Sequence, residues 1–197
     1  MHPAQNRSLR ELLLDVETTG LNRNSEAGDL DRIVEVGIVE HINGQPTGRT
    51  FQVYINPERE VPEDAQKVHG LSTEFLMNKP RFAEIAGALL EFVGPNPTFV
   101  AHFKEFDVGF LNLELELAGL PAYDVADHIC TAVLWKELEP NKSRRLDIVC
   151  AELGIDNSHR NKHGALVDAE LLSQVYRIIT ERRQTVQSEE DFSIDPF

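Results

Sequence analysis

Three short stretches of this chain carry carboxylates where an apolar segment gives way to a polar one. Asp15 and Glu17 close the run Glu11-Leu12-Leu13-Leu14-Asp15-Val16-Glu17. On an extended strand, side chains two apart share a face, so these two acids stand side by side. Their repulsion, added to the cost of partial burial, is relieved by a raised pKa on one of them or by a bound divalent cation. Taken alone, the pair is explained as well by a strand end that surfaces into solvent with both groups hydrated.

The second stretch, Val100-Ala101-His102-Phe103-Lys104-Glu105-Phe106-Asp107, runs from a short strand into a helix and places Asp107 in its first turn. Ligands of sheet-based folds gather at that edge. An acid at a helix N-terminus is also favoured by the macrodipole without any catalytic role. The third stretch is His163-Gly164-Ala165-Leu166-Val167-Asp168. Asp168 precedes Leu171 and Leu172 by three and four residues, and so faces inward with the apolar side of its helix. A carboxylate facing a core is costly unless something pairs with it. His163 lies on the loop just before the helix, where its ring reaches the same space, although a surface or capping histidine would read the same way.

The elements that must bring these residues together follow from the patterning. Glu11–Val16 reads as a buried strand ending at Thr18-Thr19-Gly20, and Leu21–Asp31 as a long connection. Ile33–Val39 is rich in β-branched residues, Asn43-Gly44 is a hairpin turn, and Thr50–Ile55 alternates as the returning strand. Helices are predicted over Pro62–Val68 and Pro80–Val93, a strand over Thr98–Ala101, and a helix from about Glu105 to Ala118. Val125–Ile129 reads as a last strand, followed by helices at Thr131–Leu138, Leu146–Leu153 and Ala165–Arg182. Three antiparallel strands followed by alternating helices and strands imply an α/β fold with a mixed sheet covered by helices.

With 197 residues, 41% of them hydrophobic and 26% charged, the chain fits one domain with a proper core, expected over residues 1–182. The opening residues show no signal-peptide core, and no apolar run approaches a membrane span. Cys130 and Cys150 match neither a disulfide framework nor a zinc site, so a cytoplasmic location is the default expectation. The net charge of −14 argues against broad phosphate neutralisation of a long duplex. It is compatible with action on a short strand end if divalent ions supply positive charge locally. Residues 183–197 carry Glu189, Glu190, Asp191 and Asp195 without an apolar period, and are expected to form a disordered acidic tail.

Taken in order, Asp15-Val16-Glu17-Thr18-Thr19-Gly20, His102-x-x-x-Phe106-Asp107 and His163-x-x-x-x-Asp168 resemble the three motifs of the DEDDh exonucleases. This DnaQ-like group includes the proofreading epsilon subunit of bacterial DNA polymerase III, RNase T and the TREX exonucleases. The likeness is greatest to the epsilon type. It extends through the hairpin, Val68-His69-Gly70-Leu71 and Leu146-Asp147 to Leu153-Gly154-Ile155-Asp156-Asn157, covering about Leu12 to Ile179. A sister group carries a tyrosine four residues before the last aspartate; here a histidine stands five before it, which places the chain with the histidine class.

The resemblance implies an RNase H-like fold, with a mixed five-stranded sheet flanked by helices, and two Mg²⁺ or Mn²⁺ ions. Asp15, Glu17 and Asp168 would hold the ion that binds the attacking water, Asp15 would bridge to the second, and Asp107 would support it through water. His163 would take the proton, a task suited to an imidazole. Thr18, Asp64, His69, Leu71 and Phe103 match positions near the terminal nucleotide, with Leu71 as a wedge beside the last base. Two positions depart from the pattern: Phe103 stands where many relatives have Asn, and Ile129-Cys130-Thr131 replaces an Asp-Ser or Asp-Thr.

The implied activity is 3′–5′ hydrolysis at 3′ ends of DNA, single-stranded ends preferred, in proofreading or repair, releasing nucleoside 5′-monophosphates. Two alternatives stay open: RNA 3′-end trimming of the RNase T kind, and an inactive module that assists a polymerase. The epsilon subunit has a longer C-terminal region that tethers it to the polymerase, and such tethering is not expected of a chain ending at 197. The ending through Pro196-Phe197 resembles the acidic tips of bacterial single-stranded DNA-binding proteins, which implies a replication or repair protein as partner.

Overall fold

The computed structural model describes residues 9–23, 29–158 and 162–193, with side chains described as far as 185. A five-stranded sheet has the order β3-β2-β1-β4-β5. Strands β1 (Arg10–Thr18), β2 (Ile33–Ile42) and β3 (Gln45–Tyr54) form an antiparallel meander; β4 (Thr98–Ala101) runs parallel to β1, and β5 (Ile129–Cys130) parallel to β4. The helices are α1 (Glu63–His69), α2 (Thr73–Leu76), α3 (Phe82–Val93), α4 (Lys104–Leu117), α5 (Thr131–Leu138), α6 (Leu146–Leu153) and α7 (Ala165–Ser193).

The two-residue period of β1 separates two kinds of side chain. Leu12, Leu14 and Val16 enter a core shared with Ile85, Leu89, Phe99, Phe110 and Leu111 of α3, β4 and α4. The alternate residues Glu11, Leu13, Asp15 and Glu17 lie opposite His41, Val39, Gly37 and Glu35 of β2, and this face turns towards α7. Leu13 and Val39 pack there on Ala169, Leu172 and Tyr176. Further along, Glu11 accepts a hydrogen bond from the Tyr176 hydroxyl (2.5 Å), and His41 Nε2 lies 2.7 Å from Ser173 Oγ. At the other end the same face leads into the acidic site. The outer side of α7 buries Leu171, Val175 and Ile179 against Trp135 and Val149 of α5 and α6.

Gly37 fixes the approach of α7. A Cβ at this position would stand 2.2–2.4 Å from backbone atoms of Ala165 and Leu166, so only glycine lets the first turn of α7 rest on the β2 backbone.

The meander, the mixed sheet and the succession of helices agree with the sequence reading, with three differences. Val125–Asp127 is a 3₁₀ turn rather than a strand, capped by Asp124 Oδ1 accepting from the Ala126 amide, and pairing with β4 is confined to Ile129–Cys130. The four-residue α2, capped by the Ser72 side chain, is too short to leave a periodic signal. Helix α7 continues through Ser193, past Arg182 where the sequence places the end of the helix. Residues 194–197 of the expected tail, and Gly28 of the long connection, lie outside the described residues. No described helix is long and apolar enough to cross a membrane.

Candidate active site

The strand end, the start of α4 and the loop before α7 meet around a cavity of about 280 Å³ lined by Asp15, Glu17, Asp107, His163 and Asp168 together with Phe103. The five residues singled out for chemistry in the sequence therefore converge in space. Glu17, Asp107 and Asp168 are buried, whereas His163 keeps 47% of its side chain exposed at the mouth. His163 Nδ1 lies 3.2 Å from Asp168 Oδ2. The His163 amide donates to the Val68 carbonyl at the end of α1 (3.1 Å), which fixes the loop from the side opposite α7.

Asp107 reaches back to β1, where its Oδ1 accepts a hydrogen bond from the amide of Val16, between Asp15 and Glu17 (3.3 Å). Burial pushes its pKa up to about 7; the amides of Val16, Phe103 and Asp107 itself pull the other way, and the nearby Asp168 charge adds to the rise. Burial also raises the carboxyl of Glu35, against the lowering effect of Gln52 and the Ala165 amide.

His102 is buried beneath the cavity. Its Nε2 donates to the Arg144 carbonyl (2.6 Å), so Nδ1 is the acceptor for the Thr131 hydroxyl (2.8 Å). This ties β4 to the segment before α6 and supports Phe103, whose ring stays 41% exposed.

A second cavity of about 550 Å³ adjoins the first and shares Glu17, Val16 and Phe106 with it. Thr18, Asp64 and His69 line it, beside the apolar Leu21 and Val68. Thr18 donates through its hydroxyl to the Gly20 carbonyl (2.6 Å), and burial lowers the His69 pKa. Asp31 clamps this loop by accepting from the Thr19 hydroxyl (2.8 Å) and the Asn22 amide (2.9 Å). Leu71 belongs to neither lining; it packs on Val34, Val61 and Leu76, and its amide donates to His69 Nδ1 (3.0 Å).

Sequence reasoning passed over Glu35, Arg145 and Asp147. Arg145 and Asp147 line the first cavity and pair with each other (2.9 Å). Glu35 carried a usable signal, an acid between the apolar Val34 and Val36 of β2.

The donor set fits a hard divalent cation. Glu17, His163 and Asp168 each offer a ligand atom, and these atoms all lie within 4.8 Å of one another. Two like unit charges about 4 Å apart repel by roughly 4 kcal/mol at an effective dielectric of about 20. Several carboxylates confined to one cavity thus favour a counter-charge, and oxygen-rich sites are those that hold Mg²⁺ or Mn²⁺.

A family model described as an exonuclease matches residues 12–176. The chain belongs to this exonuclease family. It is 42% identical over 191 residues to the DNA polymerase III subunit epsilon of Rickettsia felis, across 95% of this chain and 81% of that one. The subunit epsilon of Pasteurella multocida is 40% identical over 179 residues, across 89% and 70%. Among solved structures, the nuclease domain of 3′hExo, described as a DEDDh family member bound to rAMP, superposes with a TM-score of 0.73 at 16% identity, across 91% of this chain and 95% of that one. These relatives place the exonuclease in the DnaQ-like DEDDh group with its RNase H-like fold, and the enzyme class is that of the exonucleases, hydrolases of ester bonds.

Proposed function

We propose that this chain removes nucleotides from 3′ ends of DNA, single-stranded or frayed, releasing nucleoside 5′-monophosphates in proofreading or repair. The observation that carries the reading is the convergence of Asp15, Glu17, Asp107 and Asp168 with His163 around one cavity. Asp15, Glu17, Asp107 and Asp168 would hold two Mg²⁺ or Mn²⁺ ions. Such ions, when bound, supply positive charge that acidifies a bound water and stabilises the leaving oxygen.

His163 faces Asp168 through Nδ1, so Nε2 is the atom that takes the proton of the attacking water, while Asp168 holds the ring. Buried Thr18 and His69 and exposed Asp64 line the adjoining cavity together with the apolar Val16, Leu21 and Val68, a mixture that suits a terminal nucleoside. Phe103 offers an exposed ring for base stacking at the mouth. DNA is favoured over RNA by the identity to polymerase subunits, which is far higher than that to 3′hExo.

The test is a gel assay with Mg²⁺ on 5′-labelled and 3′-labelled single strands, duplex DNA and RNA. Stepwise shortening of 5′-labelled DNA, with mononucleotide release from 3′-labelled DNA, is expected. Preferred shortening of RNA, or binding of strands without release, would replace this reading by RNA trimming or by an inactive accessory module. A replication or repair partner for the acidic stretch is tested by comparing pull-downs of the full chain with one ending at 187; identical partners would end that idea.

A further inference from the structure

Glu35 is the third residue of β2, 2% exposed, directly opposite Glu17 on β1. Both of its oxygens are used. Oε2 accepts a hydrogen bond from the Ala165 amide (3.1 Å), and Oε1 accepts one from Gln52 Nε2 of β3 (2.7 Å). Ala165 is the first residue of α7, where backbone amides have no partner within the helix. A buried carboxylate there satisfies such a donor and is favoured by the helix dipole.

The short segment before α7 is laced on its other side as well. Lys162 Nζ donates to the Lys67 carbonyl (2.6 Å), and the His163 amide donates to the Val68 carbonyl (3.1 Å). His163 and Gly164 thus span a gap between two anchors, the end of α1 and Glu35. Gly37, two residues along the same face of β2, brings its backbone against Ala165 and Leu166. Gln52, opposite Gly37 on β3, braces Glu35 from behind.

We propose that Glu35 is a positioning residue for the hydrolytic reaction: by accepting the Ala165 amide it fixes the start of α7, and so sets His163 and Asp168 against Asp15 and Glu17. This rests on the reading of that cluster as the catalytic site. What reaches the reaction is geometry, since a displacement of about 1 Å in a catalytic group costs on the order of 100-fold in rate. The acceptor oxygen, rather than the charge, does this, so a glutamine at 35 retains the function.

The test compares Glu35→Ala, Glu35→Gln and Gln52→Ala with the parent at a temperature where all are fully folded. Two readouts are taken: hydrolysis of 5′-labelled oligothymidylate with Mg²⁺, split into kcat and KM, and hydrogen exchange of the Ala165 amide in protein stripped of metal by EDTA. Glu35→Ala is expected to lower kcat by about tenfold or more with KM within about twofold, and to expose the Ala165 amide to faster exchange. Glu35→Gln should recover kcat to within about threefold and keep the amide protected. Gln52→Ala, which leaves the bond itself in place, should shift both readouts in the direction of Glu35→Ala but less, and serves if Glu35→Ala does not fold. Unchanged kcat with unchanged amide exchange overturns the proposal, and so does equal loss of kcat in Glu35→Ala and Glu35→Gln, which would assign the role to the charge. If the parent itself hydrolyses nothing, the exonuclease reading fails; the Ala165 exchange then still decides whether Glu35 seats α7.

Discussion

Asp107 of α4 accepts a hydrogen bond from the amide of Val16, the residue that separates Asp15 from Glu17 on β1. The helix and the strand therefore present their carboxylates as one unit, and the cost is a buried acid whose charge is opposed by burial and by Asp168.

Asp107→Asn should separate stability from activity. The asparagine side-chain oxygen can still accept the Val16 amide, while the charge that burial opposes is removed. Melting in EDTA is expected to rise by on the order of 3 °C, a gain of roughly 1 kcal/mol in a domain of this size. Hydrolysis in Mg²⁺ should fall by at least about 10- to 100-fold, the range seen when support of a metal site is lost. A lower melting temperature in EDTA would refute the idea that function costs stability here.

Gly37→Ala places a methyl group where the backbone of Ala165 and Leu166 already stands. Because backbone rather than a flexible side-chain tip is in the way, α7 must move. The expected loss is about 1–3 kcal/mol, as for overpacked cores, measured by urea unfolding. The rate should also fall by about tenfold or more at temperatures where the variant is folded, because His163 and Asp168 travel with the helix. Full activity in a variant destabilised by this amount would show that the first turn of α7 does not set the geometry of the site.

Much of this arrangement was legible in the sequence, for a physical reason. Asp15, Glu17, Asp107 and Asp168 are charges in apolar surroundings, and charges in such places leave a mark that spacing can decode. The antiparallel pairing of β2 with β3 was likewise readable because a short turn at Asn43-Gly44 joins them. Glu35 was missed because its partners, Ala165 and Gln52, are a backbone amide and a side chain far away in the chain, and pairing of that kind is set by tertiary register. Val125–Asp127 looked like a strand from its neighbours, but the Asp124 side chain competes for the backbone and closes a turn. The helical backbone beyond Arg182 has no apolar period to announce it; good helix formers such as Glu, Arg and Gln continue a helix that packing has already started.

His163→Ala removes the proposed proton acceptor while leaving the carboxylates in place. The rate at pH 7.5 should fall by about 100-fold or more, within the range for loss of a general base. The effect should lie in kcat, with partial recovery towards pH 9, where hydroxide supplies the nucleophile without help. An unchanged rate would remove His163 from the chemistry and leave it as a partner of Asp168 alone.

The buried polar end of the β1–β2 face makes stability depend on pH. Burial holds the His41 pKa below its ordinary 6.5, and the positive charge of Arg177 on α7 lowers it further. Glu11, opposite His41 on β1, is engaged by the Tyr176 hydroxyl, and Ser173 Oγ meets His41 Nε2. Burial lowers His128 in the same direction. A histidine that binds protons more weakly when folded contributes its full stability above the unfolded value of 6.5. Below that pH the unfolded chain takes up more protons, so stability falls as pH falls, by at most about 1.4 kcal/mol per pH unit for each proton. Asp107 and Glu35, whose carboxyl pKa values are raised in the folded protein, act in the opposite direction, so the measurement is the difference between variant and parent. As pH falls from 7.5 to 5.5, the urea midpoint of His41→Gln, which keeps a polar partner for Ser173, should rise relative to that of the parent. A variant profile parallel to that of the parent would exclude His41 as a titrating group and leave the histidine contribution to His69 and His128.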